Sequence, residues 1–341
     1  MSRTGEPTTV SGIVAINKRL AESMMCQSAE RSSIPSGLIE QIASIIDSGG
    51  KLNNRELLTI CRDWGVDGLA TDPHLCHEIA ETAINYLIAT KYGKPLLSSD
   101  DPRRACTEIL RPLQQSLPTQ SWRSTTQVTY QQFSTPAPIA YLAAHLMNLN
   151  GSDTVLEPSC GTGSLAVWAK AAGAIAVTNE IDPRRRQLAG LLGFDPTGHD
   201  AEFIDDFLPE SIAPNAVLIN PPFSSSGGRV ERNRNKFGFR HVESALRRLA
   251  CGGRFAVILG EGGSPGSVSG RRFWESISPG IRVARSISLP GREYHRNGTT
   301  VGVTLIVGRK VLLHEGEGYV ECDRHQSFDN VEEAFESIRS E

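Results

Sequence analysis

Four polar residues recur at nearly even spacing in the second half of the chain. They are Glu157, Glu180, Asp200 and Asn220, and their separations are 23, 20 and 20 residues. One strand followed by one helix takes about 20 residues, and the carboxyl ends of parallel strands line a single crevice in an open α/β sheet. The spacing therefore predicts that the four side chains converge on one cleft.

The segment VLEPSCGTG ends an apolar run in an acidic residue and continues into a tight turn. Gly161 and Gly163 let the backbone approach a ligand closely, and Pro158 and Cys160 complete the turn. The GxGxxG dinucleotide fingerprint differs, since it has more glycines and no acidic residue before them. A carboxylate at Glu157 would repel a pyrophosphate but suits an ammonium group. We therefore predict a ligand that carries an ammonium group.

The second and third polar residues favour a bound nucleoside. Glu180 lies where an acidic residue accepts hydrogen bonds from ribose hydroxyls, and Ile181 is predicted to lie on an adenine face. Asp182 and Pro183 have the residue types of a helix N-cap and first helical position. Asp200, in the segment GHDAEFID, is predicted to accept from an exocyclic amine.

The segment VLINPPF carries the most specific chemistry. Pro221 and Pro222 have no N–H and hold the backbone extended, so this loop offers mainly acceptors. The Asn220 side-chain oxygen and the Pro221 carbonyl can both accept from one NH₂ group, and Phe223 offers an apolar face to a planar ring. The segment is therefore predicted to position the amine of a planar heterocycle, with catalytic residues Asn220, Pro221, Pro222 and Phe223.

Short β-branched runs alternate with helical stretches after about residue 125, as in a parallel sheet with helices on both faces. The strands are expected in TVLEP, AIAVTNE, AVLINPP and GRFAVILG. The runs RVARSISLP and TVGVTLIVGRK lie too close together for a crossover helix, so they should form an antiparallel hairpin. The predicted fold class is α/β: a doubly wound, mostly parallel sheet with a terminal antiparallel hairpin, preceded by a small all-helical domain.

The helical domain is predicted from apolar residues that recur at helical spacing between Ile34 and about Leu97. Helices are expected to begin at Asn53 or Asn54 and at Asp72-Pro73. The predicted segments are a loose N-terminal arm over 1–33, a helical domain over 34–120, the domain with the sheet over 121–310 and an acidic tail over 311–341.

The composition is that of an ordinary globular protein, with 39% hydrophobic and 21% charged residues among 341. The N-terminal residues lack the pattern of a signal peptide, and no apolar run approaches the ~18 residues of a membrane span. We therefore expect a cytoplasmic protein with no membrane contact. The seven cysteines form no CxxC pair, and His74, Cys76 and His77 lack a second ligand pair, so we predict no metal site.

The distribution of charge favours a polyanionic partner. The formal net charge of the chain is only −3, but residues 223–300 hold fourteen Arg or Lys against five Asp or Glu. That local excess is +9, which leaves −12 for all other residues. A basic region of this size is typical of a surface that binds nucleic acid, although solvated helix faces can produce the same count.

With these motifs the chain resembles class I S-adenosylmethionine-dependent methyltransferases. More narrowly it resembles gamma-type enzymes that modify the exocyclic amine of adenine in DNA. The narrower resemblance rests on YQQFSTPAPIA, residues 130–140, because modification subunits of type I restriction systems have a Phe-x-Thr-Pro-like segment ahead of the glycine-rich motif. The segments CGGRFAVILGEGG and SLPGREYHRNGTTVGVTLIVGRK are similar to the last third of these enzymes. The helical part resembles, more loosely, the unit before methyltransferase segments of strawberry-notch-like helicase fusions.

The resemblance implies a Rossmann-like methyltransferase sheet and S-adenosyl-L-methionine as the cofactor. It also implies that Phe133 and Thr135 contact the methionine end of that cofactor. Thr135 is predicted to cap a helix that Pro136 opens, with an N-terminus that could face a carboxylate. The implied cofactor-binding set is Phe133, Thr135, Glu157, Pro158, Cys160, Gly161, Gly163, Glu180, Ile181, Asp200 and Asn220.

The implied substrate is duplex DNA with the target adenine displaced from the stack. Phe223 and Tyr294 are predicted to hold the base. Flanking phosphates are assigned to Arg229, Arg232, Arg234, Lys236 and Arg240. No long target-recognition segment fits between Phe223 and Val301, so sequence specificity is short, relaxed or supplied by a partner. The resemblance leaves room for a restriction, helicase or specificity protein as that partner.

Two other interpretations of the sequence remain. The chain could be an amino-group methyltransferase that acts on RNA or on a protein glutamine, since enzymes of both kinds resemble it in the NPP-aromatic loop. It could also be a catalytically silent nucleic-acid-binding subunit. The intact set of Glu157, Glu180, Asp200 and NPPF argues against silence, because a silent module needs none of them.

Overall fold

A seven-stranded sheet forms the centre of the computed structural model, which describes residues 34–66, 73–120, 133–222, 236–312 and 324–339. The strands are β1 (Thr154–Glu157), β2 (Ile175–Thr178), β3 (Ala216–Ile219), β4 (Arg254–Gly260), β5 (Ile281–Leu289), β6 (Val303–Lys310) and β7 (His325–Ser327). Their order across the sheet is β2-β1-β3-β4-β6-β5-β7. β6 alone among these strands runs antiparallel to its neighbours, β4 and β5.

This topology confirms the predicted α/β fold class. The four short apolar runs form β1 to β4, which pair in parallel. The β5–β6 hairpin is antiparallel, and its register shifts at a bulge between Val283 and Arg285. The sheet is thus doubly wound and mostly parallel with an antiparallel hairpin, as predicted.

The segment before Asp200 differs from the even strand–helix alternation that the spacing suggests. Within the described residues it contributes one isolated parallel bridge, between Asn179 and Thr197, rather than a strand. The preceding residues GFDPTGH contain a proline and two glycines and no β-branched run, so they have little tendency to form a ladder.

Short helices precede the sheet. They are α1 (Ser36–Asp47), α2 (Asn54–Asp63), α3 (Pro73–Leu87), α4 (Gly93–Leu97), α5 (Pro102–Ala105) and α6 (Arg111–Gln115), with π-helical turns over Ile88–Tyr92 and Cys106–Leu110. The predicted helix start at Asn53 is confirmed, because its side chain accepts from the Glu56 N–H while the Glu56 carboxylate accepts from the Asn53 N–H. This reciprocal pair satisfies two backbone donors at the helix end.

Further helices pack around the sheet. They are α7 (Ala137–Met147), α8 (Ala166–Ala171), α9 (Pro183–Leu191), α10 (Ile204–Phe207), α11 (Lys236–Arg248), α12 (Val268–Ile277) and α13 (Val331–Arg339). Buried side chains of α11 and α12 form one core with β3 and β4, around Phe255 and Trp274. On α7, the ring of Tyr141 packs between Trp168 and Phe335, at centroid distances of 5.0 and 5.2 Å.

Residues after Val311 contribute more structure than their acidic composition suggests. β7 extends the sheet beside β5, and α13 buries Val331, Ala334 and Phe335. α13 contacts α6, one of the helices before the sheet, which together we call the helical part. The guanidinium of Arg111, in α6, bonds the carboxylate of Glu332, in α13, at 2.6 Å. Sequence pattern alone assigned no element here.

Ser36–Glu341 form one compact unit, which contains both the helices before the sheet and the sheet itself. The predicted arm over 1–33 lies outside the described residues. The boundary between a helical domain over 34–120 and a sheet domain over 121–310 stays a prediction. Within the described ranges, no helix is long and apolar enough to cross a membrane, and no group of three or more His, Cys, Asp or Glu could hold a metal ion.

Candidate active site

The four polar residues that suggested a cleft all follow carboxyl ends of parallel segments. Glu157 is the last residue of β1, Asn220 follows β3 directly, and Glu180 lies two residues beyond β2. Asp200 follows the isolated bridge at Thr197. These positions lie along one edge of the sheet, where an open α/β fold binds its ligands.

Asn179 ties three segments of this edge together, and the sequence analysis did not single it out. Its Nδ2 donates to the carbonyls of Pro158 and His199, both at 2.9 Å. Its Oδ1 accepts from the His199 N–H at 2.8 Å and from the Thr197 hydroxyl at 2.7 Å. The residue is buried and uses both ends of its amide, so it fixes the glycine-rich turn relative to the Asp200 loop.

The glycine-rich turn has the backbone conformation that its residue types suggest. Gly161 and Gly163 have φ angles of +56° and +92°, in the left-handed region that favours glycine. The Gly161 N–H donates to Glu180 Oε2 at 2.7 Å. A Cβ at Gly161 would meet the Arg185 guanidinium at 3.1 Å, so the turn also leaves room for that cation.

Cys160 and Pro158 lie in this turn, and their predicted contact with a cofactor stays a prediction. The Cys160 N–H donates to the Asn179 carbonyl at 2.9 Å. Burial raises the pKa of the Cys160 thiol well above its usual range, and the nearby carboxylates of Glu157 and Glu180 raise it further. The thiol is therefore protonated near neutral pH and is a poor nucleophile.

Glu180 and its neighbours form the second part of the edge. The Glu180 carboxylate is buried and accepts from two backbone N–H groups, those of Gly161 at 2.7 Å and Asp182 at 2.9 Å. Asp182 caps α9 as predicted, by accepting from the N–H groups of Arg184 and Arg185. Ile181 is 46% exposed, so its apolar side chain is open to a ligand. The ribose role of Glu180 stays a prediction, and each oxygen keeps a second lone pair for it.

Glu157 is a buried carboxyl without a described cation beside it. It is 3% exposed, and its Oε2 accepts no hydrogen bond from the described residues. Burial raises the pKa of Glu157 well above its usual range, opposed by the backbone N–H of Ala166 and reinforced by the charge of Glu180. A cationic ligand at this edge would stabilise the ionised form of both carboxyls.

Asn220 has its amide oriented by two hydroxyl groups. Its Nδ2 donates to Thr135 Oγ1 at 2.8 Å and lies 3.4 Å from Tyr294 Oη. Its Oδ1 is buried and accepts no hydrogen bond from the described residues. Because the Thr135 and Tyr294 hydroxyls both lie beside Nδ2, the amide oxygen of Asn220 faces away from them and can accept from a ligand. Pro221 follows it and is buried, and Pro222 is partly buried.

The Thr135 segment departs from the prediction in one respect. The prediction that Thr135 caps α7 and Pro136 opens it is wrong: Pro136 is the N-cap residue, no side chain caps the helix, and α7 begins at Ala137. The physical reason is that the Thr135 hydroxyl instead accepts from Asn220. The preceding Ser134 accepts from Arg185 Nη2 at 3.0 Å. This segment therefore contacts both the Asn220 amide and Arg185, the cation that lies against Gly161.

Tyr294 is buried, and its hydroxyl lies beside the Asn220 side-chain amide. Its ring is fully buried, and burial raises the pKa of its hydroxyl above the usual range. In this conformation the ring is enclosed, so its predicted contact with a displaced base stays a prediction. The hydroxyl beside the Asn220 amide is a role that the sequence did not suggest.

The predicted phosphate-binding residues are described only in part. Phe223, Arg229, Arg232 and Arg234 lie outside the described residues, and Lys236 begins α11. Arg240 is exposed and bonds the Glu202 carboxylate at 2.9 Å. An exposed ion pair of this kind contributes little free energy, so it does not oppose a phosphate contact.

Two further predicted cofactor-binding residues are described. Asp200 accepts from the Glu202 N–H and caps the turn Ala201–Phe203. Phe133 is partly buried.

One face of α3 carries buried polar residues that the sequence analysis missed. Glu78, Glu81 and Asn85 are all buried and lie three and four residues apart. Asn85 Nδ2 donates to the Thr162 carbonyl at 3.1 Å, next to the glycine-rich turn. Three polar residues recurring at helical spacing, between apolar positions such as Ile79 and Ala83, are the pattern that would have indicated this face.

Glu78 is the centre of a buried ion cluster between α3 and α9. Its carboxylate lies 2.8 Å from Arg184 Nε, 3.3 Å from Arg185 Nε and 3.4 Å from His74 Nε2. Burial disfavours its ionised form, but the bond to His74 and the charges of Arg185 and Arg184 outweigh burial and lower the pKa of Glu78 to about 2. The cluster therefore joins the helical part to the glycine-rich turn through Arg185.

Comparison with known proteins finds two proteins named as methyltransferases to which part of the chain is similar. Part of the chain is 25% identical over 149 residues to the type II restriction enzyme and methyltransferase RM.BcgI of Heyndrickxia coagulans, which is 37% of this chain and 23% of that protein. It is also 29% identical over 126 residues to a tRNA (guanine(10)-N2)-dimethyltransferase of Methanothermobacter thermautotrophicus, 34% of this chain and 36% of that protein. These matches span only a quarter to a third of the relatives' own lengths.

Among solved structures, the chain is similar to a modification subunit of a putative type I restriction enzyme from Vibrio vulnificus. The likeness has a TM-score of 0.46 at 16% identity and covers 70% of this chain and 56% of that one. No family model matches the chain. The two sequence relatives confirm the resemblance to methyltransferases that the motifs indicated.

Proposed function

We propose that this protein is an S-adenosylmethionine-dependent methyltransferase that modifies the exocyclic amine of a nucleic-acid base, with adenine in DNA as the substrate. The observation that carries the proposal is the buried Asn220 Oδ1, an acceptor without a described partner at the carboxyl edge of the sheet. Such an oxygen is costly to bury unless a ligand donor meets it. An NH₂ group is a donor that both Asn220 and the Pro221 carbonyl can receive.

The side chains of this edge fit a cationic nucleoside cofactor. Glu157 and Glu180 are buried acceptors, and the exposed Ile181 offers an apolar face. In the proposed arrangement Glu180 receives the ribose hydroxyls, Asp200 the adenine amine, and Thr135 and Glu157 contact the methionine end. When bound, S-adenosylmethionine supplies an electrophilic methyl group on a sulfonium sulfur.

The protein's own contribution is to hold and polarise the amine. Asn220 Oδ1 and the Pro221 carbonyl accept its two N–H groups, which directs the nitrogen lone pair away from these acceptors. They also stabilise the positive charge that develops on nitrogen as the N–C bond forms and the C–S bond breaks. Both acceptors are neutral and fixed, so the surplus proton leaves to water after the transfer.

DNA as the substrate is supported by charge and by one relative. Residues 223–300 carry the excess of +9, which suits a polyanion. RM.BcgI, to which part of the chain is similar, is named as a restriction enzyme and methyltransferase. The base must leave the duplex to reach Asn220, at a cost of a few kcal/mol. We assign the displaced base to Phe223 and Tyr294, and site choice to a specificity or restriction partner.

RNA is the second candidate substrate. The observation that favours it is the similarity to a methyltransferase named for a guanine amine of tRNA. A guanine amine presents the same NH₂ group to Asn220 and Pro221. The two substrates therefore share the acceptor geometry and differ in what holds the nucleic acid.

Transfer of a labelled methyl group tests the proposal and separates the substrates. The full chain is incubated with methyl-labelled cofactor and, in parallel, duplex DNA, single-stranded DNA, tRNA and a glutamine-containing protein. We expect label in duplex DNA as N6-methyladenine, mapped at single-base resolution. Label in tRNA alone supports the second candidate, and label in protein alone contradicts both. Cofactor binding with no label in any acceptor indicates a silent subunit.

A further inference from the structure

A polar cavity lies behind the Thr135 segment, on the side of the helical part. It is a partly open pocket, and its empty space together with the solvent at its mouth comes to about 450 Å³. Two of its lining residues belong to the candidate active site: Thr135, which bonds Asn220, and Ser164, which follows Gly163 directly. The polar lining residues that bear on the inference are Glu81, Gln120, Ser134, Arg296 and Asn297.

Glu81 is the negative group of this cavity. It is 7% exposed, and its Oε1 accepts from Gln120 Nε2 at 2.7 Å and from Asn297 Nδ2 at 3.0 Å. Its Oε2 accepts no hydrogen bond from the described residues. Burial raises the pKa of Glu81, and the Ser134 hydroxyl and the charges of His74 and Arg185 offset this only in part. A cation that entered the cavity would stabilise the carboxylate further. The proposed methyl transfer gives the Glu81 side chain no role.

Positive groups lie in the same cavity. Arg296 lines it and donates from Nη1 to the Leu117 carbonyl at 2.6 Å. Ala137, the first residue of the eleven-residue helix α7, lines it as well. A helix N-terminus carries partial positive charge, and at this one the N–H of Ala137 is present whereas Pro136 and Pro138 have none. The cavity therefore offers a buried anion on one wall and positive groups on others, which is the complement of a zwitterion.

We infer that this cavity binds the α-amino acid end of the cofactor, with Glu81 of α3 accepting from its ammonium group. The inference rests on the proposed function, because the same ligand must place its sulfur beside Asn220. The helical part then supplies a cofactor-binding residue outside the glycine-rich motif. Thr135 and Ser164 connect the cavity to the glycine-rich turn, so one ligand can reach both.

The test compares two ligands that differ in the amino acid group. S-adenosylhomocysteine carries that group and 5′-methylthioadenosine lacks it, and both are titrated calorimetrically into the full chain. Glu81→Gln is expected to weaken S-adenosylhomocysteine roughly 10- to 100-fold, as for a lost hydrogen bond to a charged group. It should leave 5′-methylthioadenosine unchanged. Glu108→Gln, which removes one exposed charge from the helical part, is the matched control and should change neither affinity.

A merely structural role for Glu81 would weaken both ligands equally and overturn the inference, as would equal binding of S-adenosylhomocysteine by wild type and variant. If wild type binds neither ligand, the proposed function itself fails. Should Glu81→Gln not fold, Glu81→Asp, which keeps the charge but withdraws the carboxylate, is titrated with the same two ligands. Weaker binding of S-adenosylhomocysteine alone supports the ammonium site, and equal changes for both ligands or none for either contradict it.

Discussion

Asn220→Ala is expected to lower the rate of methyl transfer roughly 100- to 1000-fold while cofactor affinity stays nearly unchanged. The expected loss is large because the side-chain oxygen acts on charge that develops only during transfer. The Pro221 carbonyl remains, so a single acceptor is removed rather than the whole site. Single-turnover transfer to duplex DNA measures the rate, and titration with S-adenosylhomocysteine measures the affinity.

Tyr294→Phe distinguishes the acceptor from the groups that orient it. It removes one hydroxyl beside the Asn220 amide and keeps the buried ring, while Thr135 still accepts from Nδ2. We expect a smaller loss of rate than in Asn220→Ala and unchanged cofactor affinity. Equal loss of transfer and cofactor binding in a folded Asn220→Ala protein would contradict the assigned role.

Arg185→Ala is expected to lower the free energy of unfolding by about 3–5 kcal/mol. The guanidinium is buried, pairs with Glu78 at 3.3 Å, donates to Ser134 at 3.0 Å and lies against Gly161. Its removal leaves Glu78 charged near neutral pH with less compensation and opens space beneath the glycine-rich turn. Urea denaturation followed by circular dichroism measures the loss.

Arg247→Ala is the matched control for that substitution. Arg247 forms ion pairs with Asp205 and Glu243, but its side chain is 62% exposed. We expect a loss below about 1 kcal/mol, because solvent screens exposed pairs. Similar losses in the two variants would show that the buried cluster contributes no more than a surface pair.

The edge of the sheet could be predicted because its determinants are local. The apolar runs and the spacing of Glu157, Glu180 and Asn220 follow from the length of a strand–helix unit. The cap at Asp182 and the β5–β6 hairpin depend on neighbouring residues as well. Each of these features depends on one or two successive strand or helix elements of the chain, where sequence pattern is informative.

The contacts that orient the site could not be predicted, because they join distant segments. Thr135 bonds Asn220 across 85 residues and was therefore mistaken for a helix cap. Glu293 and Arg111 pair across 182 residues beside the enclosed Tyr294. Hydrophobic spacing identifies α3 as a helix but does not tell which partner its buried carboxylates meet.

Binding of S-adenosylhomocysteine to Ile181→Asp tests most directly whether the carboxyl edge of the sheet holds the cofactor. Ile181 is 46% exposed beside Glu180, just beyond the carboxyl end of β2, whereas Ile175 is 65% exposed at the opposite end of that strand, so Ile175→Asp is the matched control. The account predicts that wild type and Ile175→Asp bind alike and that Ile181→Asp binds at least roughly 10-fold more weakly, since it loses an apolar contact. Equal affinity in all three proteins would contradict it.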